Sequence, residues 1–260
     1  MNTIGGLPDF SLQGRLALIT GSAQGLGFAI AAAYGASGAR VIVNGRNPDR
    51  VAQAVARLSA AGCKAYPLVQ DIADLNAQTA AFGQLCEQAG TPDILVNNVG
   101  IRIRKPLAQA SLTEILEIIH VDLVAAIHLS KLAADSMVAS RMAGRIITLT
   151  SIAGELARAD DAIYPIAKQG LAGMVRALAV EYGPRRITSN GIAPGTFATE
   201  TNADLVNDPV QSAAVVGRNP LGRWGDPGEI AGAAVFLASA AASYVNGHVL
   251  VVDGGFSITF

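Results

Sequence analysis

Short apolar, β-rich runs alternate along this chain with longer stretches in which apolar residues recur at helical spacing. The runs LALIT (16–20), VIVN (41–44), AYPLV (65–69), ILVNN (94–98), RIITLT (145–150), ITSNGI (187–192) and HVLVVD (248–253) read as strands. Ala- and Leu-rich helical patterns lie between them, around 25–37, 48–61, 74–89, 111–140, 163–183 and 227–238. That alternation predicts an α/β fold, a Rossmann-like doubly wound parallel sheet of about seven strands with helices on both faces. No composition shift, charge run or Pro/Gly linker divides residues 1–260, so they read as one domain. The least regular segment, 198–224, is rich in Asn, Asp, Pro and Gly and holds Trp224. Open α/β sheets bind ligands at the carboxyl ends of their strands, and this segment follows one of them. It is therefore expected to cover the substrate, with part of it folded into short helices.

Composition narrows the class. Hydrophobic residues make up 51% of the chain and charged residues 15%, which suits strands covered by helices on both sides. No apolar run reaches the roughly 20 charge-free residues that cross a bilayer. No basic stretch followed by an apolar one opens the chain. A formal net charge of −1 gives no reason to invoke nucleic acid or an anionic membrane. Cys63 and Cys86 form no CxxC pair, which points to a reducing cytoplasm. His120, His128 and His248 are isolated and lack metal-ligand spacing, so no metal is expected.

Three places carry candidate chemistry. In TGSAQGLG (20–27), between the first strand and the first helix, Gly21, Gly25 and Gly27 would let backbone approach a pyrophosphate. The helix N-terminus would offer it free amides and a positive dipole, making Gly21, Ser22, Gly25, Leu26 and Gly27 the candidate cofactor cradle. At the end of the second strand, VIVNGRN has Gly45 where an NAD-specific acid would stand, and Arg46 next. A guanidinium there can fork onto a 2′-phosphate, which favours NADP over NAD. Finally, Tyr164 and Lys168 are four residues apart on one helix face, thirteen and more residues after Ser151. An ammonium beside a phenol favours the phenolate, so the tyrosine is expected to exchange a proton with a carbonyl or an alcohol. By itself, that spacing also describes mere surface neighbours.

TGSAQGLG, NNVG (97–100), Ser151, YPIAK (164–168) and APG (193–195) together resemble the short-chain dehydrogenase/reductases in order and spacing. The likeness runs to the closing VNGHVLVVDGG (245–255). Within that family, FSLQGRLALITGS, VNGRNP, GELAR, FATET and GRWG are similar to stretches of gluconate 5-dehydrogenases. The resemblance implies that Tyr164 is the acid/base, that Lys168 supports it and binds the nicotinamide ribose, and that Ser151 orients the carbonyl. It further implies that Asp71 and Ile72 border the adenine and that Asn97 and Gly100 line the cofactor. Pro194, Gly195, Phe197 and Thr199 would contact its nicotinamide amide and diphosphate. It also implies a homo-oligomer, commonly a tetramer; the apolar end GGFSITF would suit a subunit contact and would equally suit packing on its own core.

One position departs from the family. Where an asparagine usually lies in V-N-L and holds a water linked to the lysine, this chain has Val121-Asp122-Leu123. Asp122 is nearly isosteric and is expected to substitute for it. The substrate is expected to be a secondary alcohol or ketone such as gluconate and 5-ketogluconate. Arg102, Arg104, Lys105 and Arg158 are placed near the site mouth to receive its carboxylate. Another ketone, a 3-oxoacyl thioester and a non-catalytic NADP(H) sensor remain alternatives. A serine hydrolase is disfavoured because Ser151 lacks a G-x-S-x-G elbow.

Overall fold

The computed structural model describes residues 9–259. Phe260, the last residue of the C-terminal stretch expected at a subunit contact, lies outside the described residues, as do residues 1–8. The elements run β1 (Leu16–Ile19), α1 (Gly25–Ala36), β2 (Arg40–Gly45), α2 (Pro48–Ala60), β3 (Lys64–Val69), α3 (Leu75–Ala89) and β4 (Ile94–Asn97). There follow α4 (Leu112–Ile119), α5 (Ala125–Ala139), β5 (Gly144–Leu149), α6 (Ile163–Tyr182) and β6 (Ile187–Pro194). The chain closes with α7 (Ala203–Asn207), α8 (Pro209–Val216), α9 (Ala231–Ala238) and β7 (Val249–Val252). All seven strands pair in parallel, in the order β3-β2-β1-β4-β5-β6-β7. The doubly wound sheet expected from the alternation is therefore the observed one.

The apolar runs form strands because both faces of the sheet are covered. Every residue of β1, β4 and β5 is buried. On one face Ala17, Ile19, Val41, Val43 and Val96 pack with Ile30 and Tyr34 of α1 and Leu237 of α9. On the other, Leu16, Leu18, Ile42, Leu95 and Ile146 pack with Phe82 of α3 and Leu129 and Met137 of α5. Buried Tyr34 completes its hydrogen bonding by donating its hydroxyl to the Ala234 carbonyl at 3.0 Å. No helix among the described residues is long and apolar enough to cross a membrane.

The expected helix over 111–140 needs correcting, because it is two helices. A capping box of Ser111 and Glu114 starts α4, and a π-helical turn, His120–Val124, separates α4 from α5. Such a turn inserts an extra residue into a helix and re-aims the side chains around it. Here the residue carried inward is Asp122, fully buried. The irregular segment folds in part as expected, into α7 and α8, and Trp224 ties it down by donating its indole N–H to Ser212 at 2.8 Å.

Strand order reverses direction between β1 and β4, and a crevice opens at their carboxyl ends. Gly21 follows β1, Gly100 follows β4, and Ser151 follows β5, so three separated motifs converge on this edge.

Candidate active site

The turn after β1 leaves the start of α1 open. Gly21 and Gly25 have φ of 61° and 59°, in the left-handed region that glycine adopts without strain. A Cβ on Gly27 would stand 2.6 Å from both the Gly21 carbonyl oxygen and the Asn98 amide nitrogen, so only glycine fits there. The N-cap residue, Gln24, makes no side-chain cap, and the amides of Gly25, Leu26 and Gly27 find no acceptor among the described residues. Uncapped N-terminal amides at a glycine turn form a cradle for an anionic diphosphate, here with the side chains of Thr199 and Glu200 near Gly25. Ser22 does not belong to that cradle, contrary to its expected role. Its amide donates to the Asn44 carbonyl, its hydroxyl donates to Ile19 at 2.7 Å, and the same hydroxyl accepts the Asn44 amide. Ser22 is a buried buttress whose donors are all engaged.

Two asparagines that the sequence reading passed over hold this turn. Asn44 accepts the Gly21 amide through its side-chain oxygen at 3.2 Å and donates to Leu68 and Gln70. Asn98 donates its side-chain amide to the Thr20 and Gly21 carbonyls. Asn97, its neighbour and an expected cofactor residue, turns its side chain into the fold and donates to Ser130 at 2.8 Å. A strand ending in Asn-Asn sends consecutive side chains to opposite faces, so one braces α5 and the other the glycine turn. That alternation was the available signal.

Tyr164 and Lys168 lie in the first turns of α6, where Pro165 needs no helical donor of its own. Lys168 is 3% exposed, and its Nζ lies 5.3 Å from the centre of the Tyr164 ring. Ser151 caps the single turn Ile152–Gly154 by accepting the Ala153 amide at 3.1 Å. That turn rests on α6: a Cβ at Gly154 would stand 3.3 Å from the Gln169 amide nitrogen. Ser151, Tyr164 and Lys168 are thus gathered by the packing of one turn on one helix.

Asp122 reaches the same place from the π-helical turn. Its Oδ2 is 3.2 Å from Lys168 Nζ, and its Oδ1 accepts the Ile101 amide at 2.6 Å. A Cβ on Gly100 would stand 2.8 Å from both Asp122 Oδ2 and Lys168 Nζ, which is why the residue after NNV is glycine. Burial pushes the Asp122 carboxyl above the ordinary carboxylate range, against the opposing pull of Lys168 and the Ile101 amide.

The four expected substrate cations are not equivalent. Lys105 Nζ donates to Glu114 at 2.6 Å and is drawn into the α4 capping box. Arg102 is paired with buried Asp161. Arg104 and Arg158 make no ion pair with the described residues. Partial burial, followed by the nearby charges of Arg102 and Arg158, holds the Arg104 guanidinium below its ordinary value. With Asp161 committed to Arg102, the neighbouring guanidiniums of Arg104 and Arg158 leave this mouth attractive to an anion.

At the other end of the crevice, Arg46 faces Asp71 at 3.6 Å, both exposed, so the guanidinium is only loosely held. Arg50, one helical turn on, donates to Gln24 at 3.0 Å and adds a second cation beside the glycine turn. Ile72 is buried next to Asp71. After β6, Gly195 crosses so close to Asp253 that a Cβ would stand 2.6 Å from its side chain. Thr199 lies against Gly25 of the glycine turn. Phe197, expected to contact the cofactor, has its ring packed in the main core and against Gly225 instead.

The family described as enoyl-(acyl carrier protein) reductase matches residues 21–257 of this chain. A 2-dehydro-3-deoxy-D-gluconate 5-dehydrogenase of Formosa agariphila is 38% identical over 96% of this chain and 95% of its own length. A 5-keto-D-gluconate 5-reductase of Escherichia coli is 39% identical, covering 95% of this chain and 96% of that protein. A solved gluconate 5-dehydrogenase of Burkholderia cenocepacia, in complex with NADP and tartrate, superposes with a TM-score of 0.93. It is 37% identical and covers 98% of this chain and 99% of that one.

Proposed function

The chain belongs to the short-chain dehydrogenase/reductase family, and we propose that it is an NADP-linked oxidoreductase that interconverts a secondary alcohol and a ketone on a sugar acid. Gluconate and 5-ketogluconate are the pair that fits best. The observation that carries the reading is the gathering of Ser151, Tyr164 and Lys168 beside an uncapped glycine turn at the switch point of the sheet.

The residues fit the cofactor. The open amides of Gly25, Leu26 and Gly27 would take the diphosphate, and the absence of a side chain at Gly21 and Gly27 lets the turn close tightly against Val99 and Asn98. Arg46, with Arg50 close by, takes the 2′-phosphate, and Asp71 and Ile72 border the adenine. The bound nicotinamide supplies the hydride chemistry. In reduction, the hydroxyls of Ser151 and Tyr164 donate hydrogen bonds to the carbonyl oxygen. Tyr164 gives its proton to that oxygen as the carbonyl carbon is reduced, and the ammonium of Lys168 steadies the tyrosinate left behind. Asp122 holds that ammonium in place through its Oδ2, with a carboxyl where the family has a water-holding asparagine. Arg104 and Arg158 receive the substrate carboxylate as a charge-assisted pair.

Steady-state kinetics with NADPH or NADP against 5-ketogluconate, gluconate and neutral ketones test the reading, with Tyr164→Phe alongside. The acids are expected to be preferred, and Tyr164→Phe to lose turnover by about 10²–10⁴-fold while still binding NADPH. Undiminished turnover in that variant would refute the assignment.

A further inference from the structure

The segment Ile101-Arg102-Ile103-Arg104 interleaves apolar and cationic residues, and the structure uses the two sets differently. Ile101 and Ile103 pack on Ile118, Ile163 and Ala167, which anchors the segment to α4 and α6. Arg102, between them, projects over Tyr164, with its guanidinium carbon 4.5 Å from the ring centre. It is held there by Asp161, whose side chain is 1% exposed and has no other partner of opposite charge among the described residues. Two cations from two elements therefore address one aromatic ring, Lys168 from within α6 and Arg102 from the segment after β4.

We propose that Arg102, tethered by Asp161, is a positioning residue for the proton-transfer step and not a substrate contact. It fixes the plane of the Tyr164 ring and stabilises the tyrosinate formed when the phenol proton passes to the substrate oxygen. This rests on the reading of Tyr164 as the acid/base. A cation over an aromatic face is attracted by the ring, and more so once the ring carries negative charge. A planar guanidinium suits such stacking better than an ammonium does. The ion pair with Asp161 keeps Arg102 from the substrate carboxylate, which is left to Arg104 and Arg158. The cations on this side of the site then divide by role: Lys168 backed by Asp122, Arg102 backed by Asp161, and Arg104 and Arg158 at the mouth.

The test uses the full chain with NADPH and the best ketone of the panel above. Arg102→Gln is expected to lower kcat roughly threefold to tenfold, with KM changed by less than about twofold. Its NADPH binding should be unaffected. In alcohol oxidation the loss should be greatest at the acid end of the pH–rate profile. Arg102→Lys should recover part of kcat, whereas Arg104→Gln should raise KM. Because Arg102→Gln leaves Asp161 buried without its partner, the paired variant Arg102→Gln with Asp161→Asn is measured as well and should show the same kcat loss. A raised KM at unchanged kcat, or a loss equal at every pH in both variants, would overturn the proposal. Retained turnover in Tyr164→Phe would instead remove the reading beneath it.

Discussion

At the scale of single residues, the most consequential side chain is Asp122. It is a fully buried carboxylate facing a lysine that is itself 3% exposed. Breaking a buried pair leaves an uncompensated charge, so the two residues constrain each other. The carboxyl is held above the ordinary range by burial, so the folded protein binds this proton more tightly than the unfolded chain does. Stability from this group is therefore fully present below the unfolded value of about 4, and is lost as pH rises through the raised folded value. Asp122→Asn removes that loss. Urea unfolding from pH 4 to 7 should show the difference between variant and parent moving in the variant's favour as pH rises. A flat difference would rule Asp122 out as a group titrating in this range. Turnover of the same variant is expected to stay within about tenfold of the parent, since the other proposed catalytic side chains are untouched. A many-fold rise would show that the aspartate weakens the proton relay. Asp122 stood out in the sequence as a departure from V-N-L. Its place near Lys168 was implied by the resemblance, but its direct contact with the ammonium and its bond from the Ile101 amide could not be read there, because those partners come from distant segments.

At the scale of elements, the glycine turn and the π-helical turn show opposite kinds of legibility. The turn was readable because its glycines meet local demands: positive φ at Gly21 and Gly25, and close backbone approach at Gly27. Gly27→Ala is expected to cost about 1–3 kcal/mol, because the Gly21 carbonyl oxygen cannot swing aside as a flexible side chain would. It should also weaken NADPH binding by tenfold or more, on the order of 1.4 kcal/mol or above. Gly173→Ala, in α6 with open space around it, serves as the control and should be neutral or slightly stabilising. Fluorescence titration with NADPH, run beside thermal unfolding, separates the two effects. Equal NADPH affinity in Gly27→Ala and the parent would remove the turn as the cofactor cradle. The break between α4 and α5 left no such trace. Residues 111–140 carry helical periodicity throughout, and the extra residue at His120–Val124 is tolerated because Asp122 meets Lys168 across the site. Asn97 and Asn98 fall between these cases. The strand period told their faces apart, but only the assembled sheet showed which face held the glycine turn.

At the scale of the whole molecule, the crevice is an edge built from the carboxyl ends of strands far apart in sequence. A ligand that bridges β1, β2, β4 and β6 binds only the folded chain, so it should stabilise globally. At about 100 times its dissociation constant, NADPH should add about 2.7 kcal/mol, a rise in Tm of roughly 5–10 °C. NADH at the same concentration should give much less, and Arg46→Ala should narrow the gap between them. Equal shifts from the two cofactors would exclude Arg46 as the 2′-phosphate reader. The sequence by itself determined the alternation of strands and helices, the seven apolar runs, the glycine turn and the four-residue spacing of Tyr164 and Lys168. Each of these is a local pattern imposed by backbone periodicity or by a turn's steric needs. Tertiary structure alone decided which of the expected residues face the crevice. It buried Ser22 and Phe197 in the scaffold, turned Asn97 away from the glycine turn, tied Lys105 to Glu114 and Arg102 to Asp161, and left Arg104 and Arg158 without an ion pair among the described residues. The physical reason is that the direction and charge state of a polar side chain are set by its partners, and here the partners come from segments that meet only once the sheet has formed.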